Sequence, residues 1–232
     1  MSSKSPLTAL ACVGVLFASS AQAMEPGWYL FAFGGESSAS GASENQATDN
    51  LVAFFEANGV EVLDSAADID DSDTGFGVGG GYQLNDYFAL EFAYVDLGST
   101  TYDFTATLED ESGDQADAEV TLESSAAGPV FSALGIWPIG ERFSVFGRAG
   151  FSLLNAKGRA RVTIDGQSGQ DSQDSQKFDP LLGIGAEYAF GKHFAVRLAW
   201  DRYFDVGTSN TTGDIDTDIY SLGVRMNTGW FR

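Results

Sequence analysis

Charged side chains stand out where they interrupt otherwise uncharged runs. Glu91, Arg148, Glu187 and Arg197 each interrupt a run in which apolar residues alternate with Gly, Ala or Ser, as in FALEFAY and FAVRLAW. A carboxylate and a guanidinium withdrawn from water are tolerable only as partners, and removing one partner costs about 3–5 kcal/mol. Paired, such groups would tie together the elements that carry them; re-paired, they could open a narrow path for ions. Other carboxylates suggest a second chemistry. Asp68, Asp70, Asp71 and Asp73 sit together, Asp214, Asp216 and Asp218 alternate, and oxygen ligands of this kind suit Ca²⁺ or Mg²⁺. The spacing lacks the Gly and the twelfth-position Glu of a calcium loop. A solvated acidic surface is therefore the simpler reading, with a divalent cation bridging it to an anionic partner as a second. His193, beside Lys192, is the one His, and general-base catalysis relies most often on His. No Ser/His/Asp set converges on it, so neither enzyme activity nor a cofactor is expected.

Composition narrows the class. A chain of 232 residues suits one domain. Its formal charge of −21 argues against a nucleic-acid partner, because phosphate backbones are bound by clustered Lys and Arg. With Cys12 and His193 as the single residues of their types, a disulfide framework and a Cys/His zinc site are excluded. Aromatics at 13% and 28 Gly exceed what a disordered chain and a helical bundle, respectively, would carry.

The N-terminus reads as an export signal. Lys4 precedes an apolar run from Leu7 to Ala18, and Ala21-Gln22-Ala23 supplies a small-residue cleavage site. The run is shorter than the ~20 residues of a spanning helix. The expected division is a signal peptide over 1–23 and one domain over 24–232, and cleavage removes Cys12.

The elements that must position the four charges have period two. In 194–201, Phe194, Val196, Leu198 and Trp200 share a face opposite Ala195, Arg197, Ala199 and Asp201. The same alternation sets Phe88, Leu90, Phe92 and Tyr94 against Glu91; Leu182, Ile184 and Tyr188 against Glu187; and Tyr220, Leu222 and Val224 against Arg225. Eight strands are predicted, near 27–35, 74–84, 87–100, 119–137, 143–157, 177–190, 194–206 and 216–227. Long connections at 36–73, 101–118, 158–176 and 207–215 alternate with short ones, the organisation of an outer-membrane barrel. Of the 33 acids, 26 fall in or beside the long connections, which keeps charge off lipid-facing surfaces. A soluble β-sandwich also alternates, but it would turn a charged face to water. Here the face opposite the aromatics is small with isolated Glu and Arg, which suits a narrow interior filled by side chains. Within 49–64 a short amphipathic helix is predicted, with Leu51, Phe54 and Phe55 on one side. Trp28, Tyr29, Tyr87, Phe88, Tyr188, Phe190, Trp200, Tyr203, Phe204, Tyr220 and Trp230 read as interfacial girdles.

The stretches GIGAEYAFGKHFAVRLAWDRYFDVG and DIYSLGVRMN, together with GWYLFAFGG, ALEFAYVDLG and LGIWPI to FGRAGFSLL, resemble the transmembrane domain of the outer-membrane protein A family over about 27–227. The resemblance implies an eight-stranded antiparallel up-and-down barrel with periplasmic termini and an interior cluster of Glu, Arg and Lys that plugs the lumen. Residue by residue, Glu91, Arg148, Glu187 and Arg197 take those positions, while Ala133 stands where the Lys would be. Two features depart from the pattern: the chain runs past the last strand to Arg232, and a peptidoglycan-binding domain is not expected after the barrel. The expected role is structural, in the cell outer membrane, with outer-membrane lipid, lipopolysaccharide and the barrel-assembly machinery as partners and a monomeric state. A narrow cation-preferring channel and surface adhesion through the acidic loops are the alternatives.

Overall fold

The computed structural model describes residues 26–40, 44–70, 72–109, 113–206 and 215–228. The expected signal peptide and the positions of Asp71, Asp214 and Trp230 lie outside these residues. The period-two segments form strands β1 (Gly27–Ser40), β3 (Ser72–Asn85), β4 (Phe88–Glu109), β5 (Gln115–Ile139), β6 (Phe143–Ile164), β7 (Gln167–Ala189), β8 (Phe194–Val206) and β9 (Ile215–Asn227). Helix α1 (Glu44–Ala57) and a further strand β2 (Glu61–Asp70) lie between β1 and β3. Every pairing is antiparallel, and the order β1-β3-β4-β5-β6-β7-β8-β9 closes because β9 pairs with β1. Eight strands thus make a barrel with no free edge in the ring, the solution a chain needs where no water can satisfy a backbone edge.

The alternation sorts the faces. Leu30, Phe76, Val78, Phe88, Leu90, Phe92, Tyr94, Leu182, Ile184, Leu198 and Leu222 point outward and are exposed. Side chains between them fill the lumen. Its outer half is mainly apolar, with Val95, Leu97, Val130, Leu154, Leu181, Tyr203 and Ile219 buried in one cluster and Ser152 and Asp179 buried beside Leu154 and Leu181. Glycines make room for bulk on neighbouring strands: a Cβ at Gly81 would collide with the Tyr29 ring, and one at Gly185 with the Phe146 ring. Tyr29 and Tyr203 are buried among these interior side chains, which corrects their assignment to the girdle; Trp28, Tyr87, Phe88, Tyr188, Phe190 and Tyr220 do lie exposed on the outside.

Two connections expected to be long loops are strands. β4 and β5 stay paired from Thr101↔Glu123 to Glu109↔Gln115, and β6 and β7 from Lys157↔Asp174 to Ile164↔Gln167. The second hairpin turns on Asp165 and Gly166, whose φ of 49° and 77° are those of the tight turn that matches strand twist. With β2 paired to Thr101–Glu109, these strands raise a five-stranded wall, β2-β4-β5-β6-β7, on one side of the barrel.

A bulge keeps the wall in phase with the barrel. β4 points Ala93, Val95 and Leu97 inward, yet Tyr102, Phe104, Ala106 and Leu108 above them are buried as well. The parity changes where the register shifts between Asp96 and Ser99. Gly98 sits there at φ 78°, and the Asp73 carboxylate accepts hydrogen bonds from Ser99 N (2.8 Å) and Ser99 Oγ (2.9 Å).

Helix α1 covers this apolar face. Phe55 is buried and stacks on Phe104 at 6.4 Å, with Leu51, Val52, Val60, Val62 and Leu122 around them. The helix ends because Gly59 adopts φ 80°; Gly59 N donates to Glu56 O and Val60 N to Phe55 O, a Schellman cap. The predicted helix exists, but Phe54 is 61% exposed and does not share the buried side with Leu51 and Phe55.

Candidate functional site in the barrel interior

The four sequence-predicted charges meet inside the lumen because alternation turns them inward and strand stagger brings them to one height. Glu91 comes from β4, Arg148 from β6, Glu187 from β7 and Arg197 from β8. All four are buried. Arg148 Nη2 lies 3.0 Å from Glu91 Oε2, and Arg197 Nη1 lies 2.7 Å from Glu91 Oε1. Arg197 turns its Nη2 and Nε to Glu187 Oε2 at 2.9 and 3.2 Å. β4 and β8 stand four strands apart in either direction round the ring, so the Glu91–Arg197 pair crosses the barrel.

Two further charges extend the set. Asp201 Oδ2 accepts from Arg148 Nη1 at 2.6 Å, and Arg225 Nη1 lies 3.2 Å from Glu187 Oε1. The result is an alternating chain Asp201–Arg148–Glu91–Arg197–Glu187–Arg225 in which three acids face three guanidiniums. Ala133, where the resemblance places a Lys, is exposed between the inward-facing Ser132 and Leu134. The third cation is instead Arg225 of β9, which also donates to Gln83 Oε1.

Aromatic faces and a phenol complete the surroundings. Tyr29 OH donates to Glu91 Oε1 at 2.8 Å. Arg197 lies 4.8 Å from the Phe146 ring centroid and 5.8 Å from that of Phe31, and Arg225 lies 3.8 Å from that of Tyr29. Rings over guanidiniums supply attraction without adding a charge. A void beside the network, lined by Phe31, Arg148, Arg197, Ala199 and Ser221, measures about 10 Å³, room for about one water. Nothing in this arrangement offers an accessible base or nucleophile; its chemistry is mutual neutralisation.

The other candidates do not come together. Asp68 faces Asp103 across β2 and β4, Asp70 faces Thr101, and Asp73 is turned to Thr74 and Ser99. Among the described residues no three carboxylate, His or Cys side chains gather as a metal site. His193 is exposed at the short β7–β8 turn, where its carbonyl accepts from Asn227 N at 2.9 Å. Sequence reasoning placed Asp201 and Arg225 on the inward face without joining them to the cluster. The missing quantity was height along the barrel axis.

A closed antiparallel ring with an apolar exterior and a neutralised charged interior defines a transmembrane outer-membrane β-barrel. The sequence matches the OmpA-like transmembrane domain over residues 25–230 and the chain belongs to that family; its place is the outer membrane. It is 30% identical over 152 residues to outer membrane protein A of Yersinia pseudotuberculosis, across 64% of this chain and 38% of that protein. To outer membrane protein A of Shigella flexneri it is 30% identical over 156 residues, across 67% and 40%. The chain thus spans about two fifths of the length of these curated relatives. Among solved structures it is similar to Neisserial surface protein A (19% identity, TM-score 0.42, 86% of this chain and 96% of that one). It is also similar to the N-terminal β-barrel domain of Pseudomonas aeruginosa OprF (14%, 0.41, 89% and 98%).

Proposed function

We propose that the protein is a structural barrel of the outer membrane whose lumen is held shut by the interior charge chain. It reaches its site through a cleaved signal over 1–23 and the barrel-assembly machinery, and it stands in contact with outer-membrane lipid and lipopolysaccharide. The observation that carries this reading is the Glu91–Arg197 pair across the barrel, with each of Arg148, Arg197 and Glu187 bonded on two sides. A permeation path needs polar sites that bind weakly and in series, whereas here a packed, mainly apolar layer lies outside the charges. Envelope integrity then follows from a rigid, sealed cylinder.

The test is single-channel conductance in a planar bilayer, using protein whose folding is verified by its gel mobility before boiling. Silence is the expected result. Stable cation-selective openings would overturn the sealed barrel in favour of a narrow channel. The wall supports a second reading, recognition at the cell surface, because α1 and its small core hold five strands as one body outside the membrane. Deleting 101–123 should then abolish surface binding while leaving the barrel folded.

A further inference from the structure

We infer that the outward face of β6, where Lys157, Arg159 and Arg161 stand in line above an aromatic row, holds the phosphate groups of a phosphorylated glycolipid of the outer leaflet. The inference rests on the outer-membrane location and is independent of whether the lumen conducts.

An aromatic row lies below the stripe. Phe92, Phe131, Phe151 and Phe178 run side by side across β4 to β7, with centroids 4.7, 5.4 and 5.7 Å apart, and all four are exposed. Leu153 continues that face of β6, Asn155 ends the apolar run, and Lys157, Arg159 and Arg161 follow at every second position, all exposed. At ~3.3 Å per residue and a tilt near 40°, they stand roughly 10 to 20 Å beyond Leu153. A glycerophospholipid headgroup layer is only about 5–8 Å deep. Reaching three cations spread over that height requires a lipid with anionic groups distributed along a tall sugar head.

Charge elsewhere favours this location. The chain carries −21, and on β2 and β4 the same outward face of the wall presents Asp64, Asp68, Asp70 and Asp103, which repel an anionic lipid. Among the described residues, the other outward cation near this level is Arg202, already paired with Asp218 at 2.6 Å. The acids facing the stripe are Glu123, 3.5 Å from Arg159, and Asp174, opposite Lys157; Glu119 lies diagonal to Arg161, whose direct neighbours are Thr121 and Gln170. These acids temper the stripe, so removing one should strengthen it.

The experiment uses the folded full chain in neutral phosphatidylcholine nanodiscs, titrated with lipopolysaccharide, with its dephosphorylated form, with phosphatidylglycerol and with inorganic phosphate. Lys157→Gln, Arg159→Gln and Arg161→Gln should each weaken lipopolysaccharide binding about fivefold, and Glu123→Gln should tighten it. Dephosphorylated lipid should bind weakly to every variant. Binding by the triple variant equal to that of the parent overturns the inference. Equal loss toward phosphatidylglycerol also overturns it, by making the stripe a general anionic surface, and efficient competition by inorganic phosphate does so by making it a small-anion site. Unchanged gel mobility before boiling certifies that each variant is folded.

Discussion

Glu91 is the residue on which the interior depends, because among the described residues it alone bonds to two guanidiniums and a phenol. Glu91→Ala leaves Arg148 with Asp201 and Arg197 with Glu187 but makes the interior one charge positive. The expected cost is about 3–5 kcal/mol, read from urea unfolding followed by gel mobility. Adding Arg197→Ala restores neutrality, so the double variant should be more stable than the sum of the singles predicts; strict additivity would show that the pair is not coupled. That these side chains point inward was legible in the sequence, since each sits out of phase with its apolar neighbours. Which of them meet was less so. Arg225 and Asp201 obeyed the same alternation, but alternation reports only a face. Meeting depends on the stagger of one strand against the next, which set Arg225 opposite Ala195 and Phe31 and beside Glu187.

At the scale of elements, two of the acidic connections read as loops because charge suggests irregular backbone, whereas they are paired strands. The stretch TYDFTATLE alternates Tyr102, Phe104, Ala106 and Leu108 with Thr and Asp, which is strand patterning in which the polar side meets water. Asp165-Gly166 is likewise a hairpin signal, obscured by the Ser/Gln-rich strand that follows it. Amides of 101–109, 115–123 and 157–164 should therefore exchange slowly with deuterium, whereas unstructured loops would exchange at once. The β4 bulge was beyond reach of the sequence, because its need arises only when β2 and β5 fix which side of the wall faces α1. Gly98→Val tests it. A side chain at φ 78° would meet the Asp73 carboxylate, and backbone strain of this kind costs about 1–3 kcal/mol. Trypsin or chymotrypsin should then cut the wall of this variant faster while the barrel keeps its heat-modifiable mobility. Equal cleavage rates would mean that the bulge is not what holds Tyr102 and Phe104 against the helix.

For the molecule as a whole, the sealed barrel proposed above places two barriers of different chemistry in series along one axis. The charge chain closes the middle of the lumen by ion pairing, and the layer containing Val95, Leu97, Val130, Leu154, Leu181, Tyr203 and Ile219 closes its outer half by packing. An ion that passes a broken ion pair still meets a tightly packed, mainly apolar constriction, to which Tyr203, Ser152 and Asp179 add a few polar atoms, and hydrophobic constrictions block by dewetting. Removing charge alone should therefore leave the barrel silent: Glu91→Ala with Arg197→Ala is expected to show no openings in a planar bilayer. Adding Leu154→Ala and Leu181→Ala, which face the same layer from β6 and β7, should permit them. The leucine changes alone should remain closed, since the six charges are untouched. Openings in the charge variant by itself would show that ion pairing is the sole barrier. Silence in the combined variant, with folding intact, would place closure in the packing of the whole cylinder.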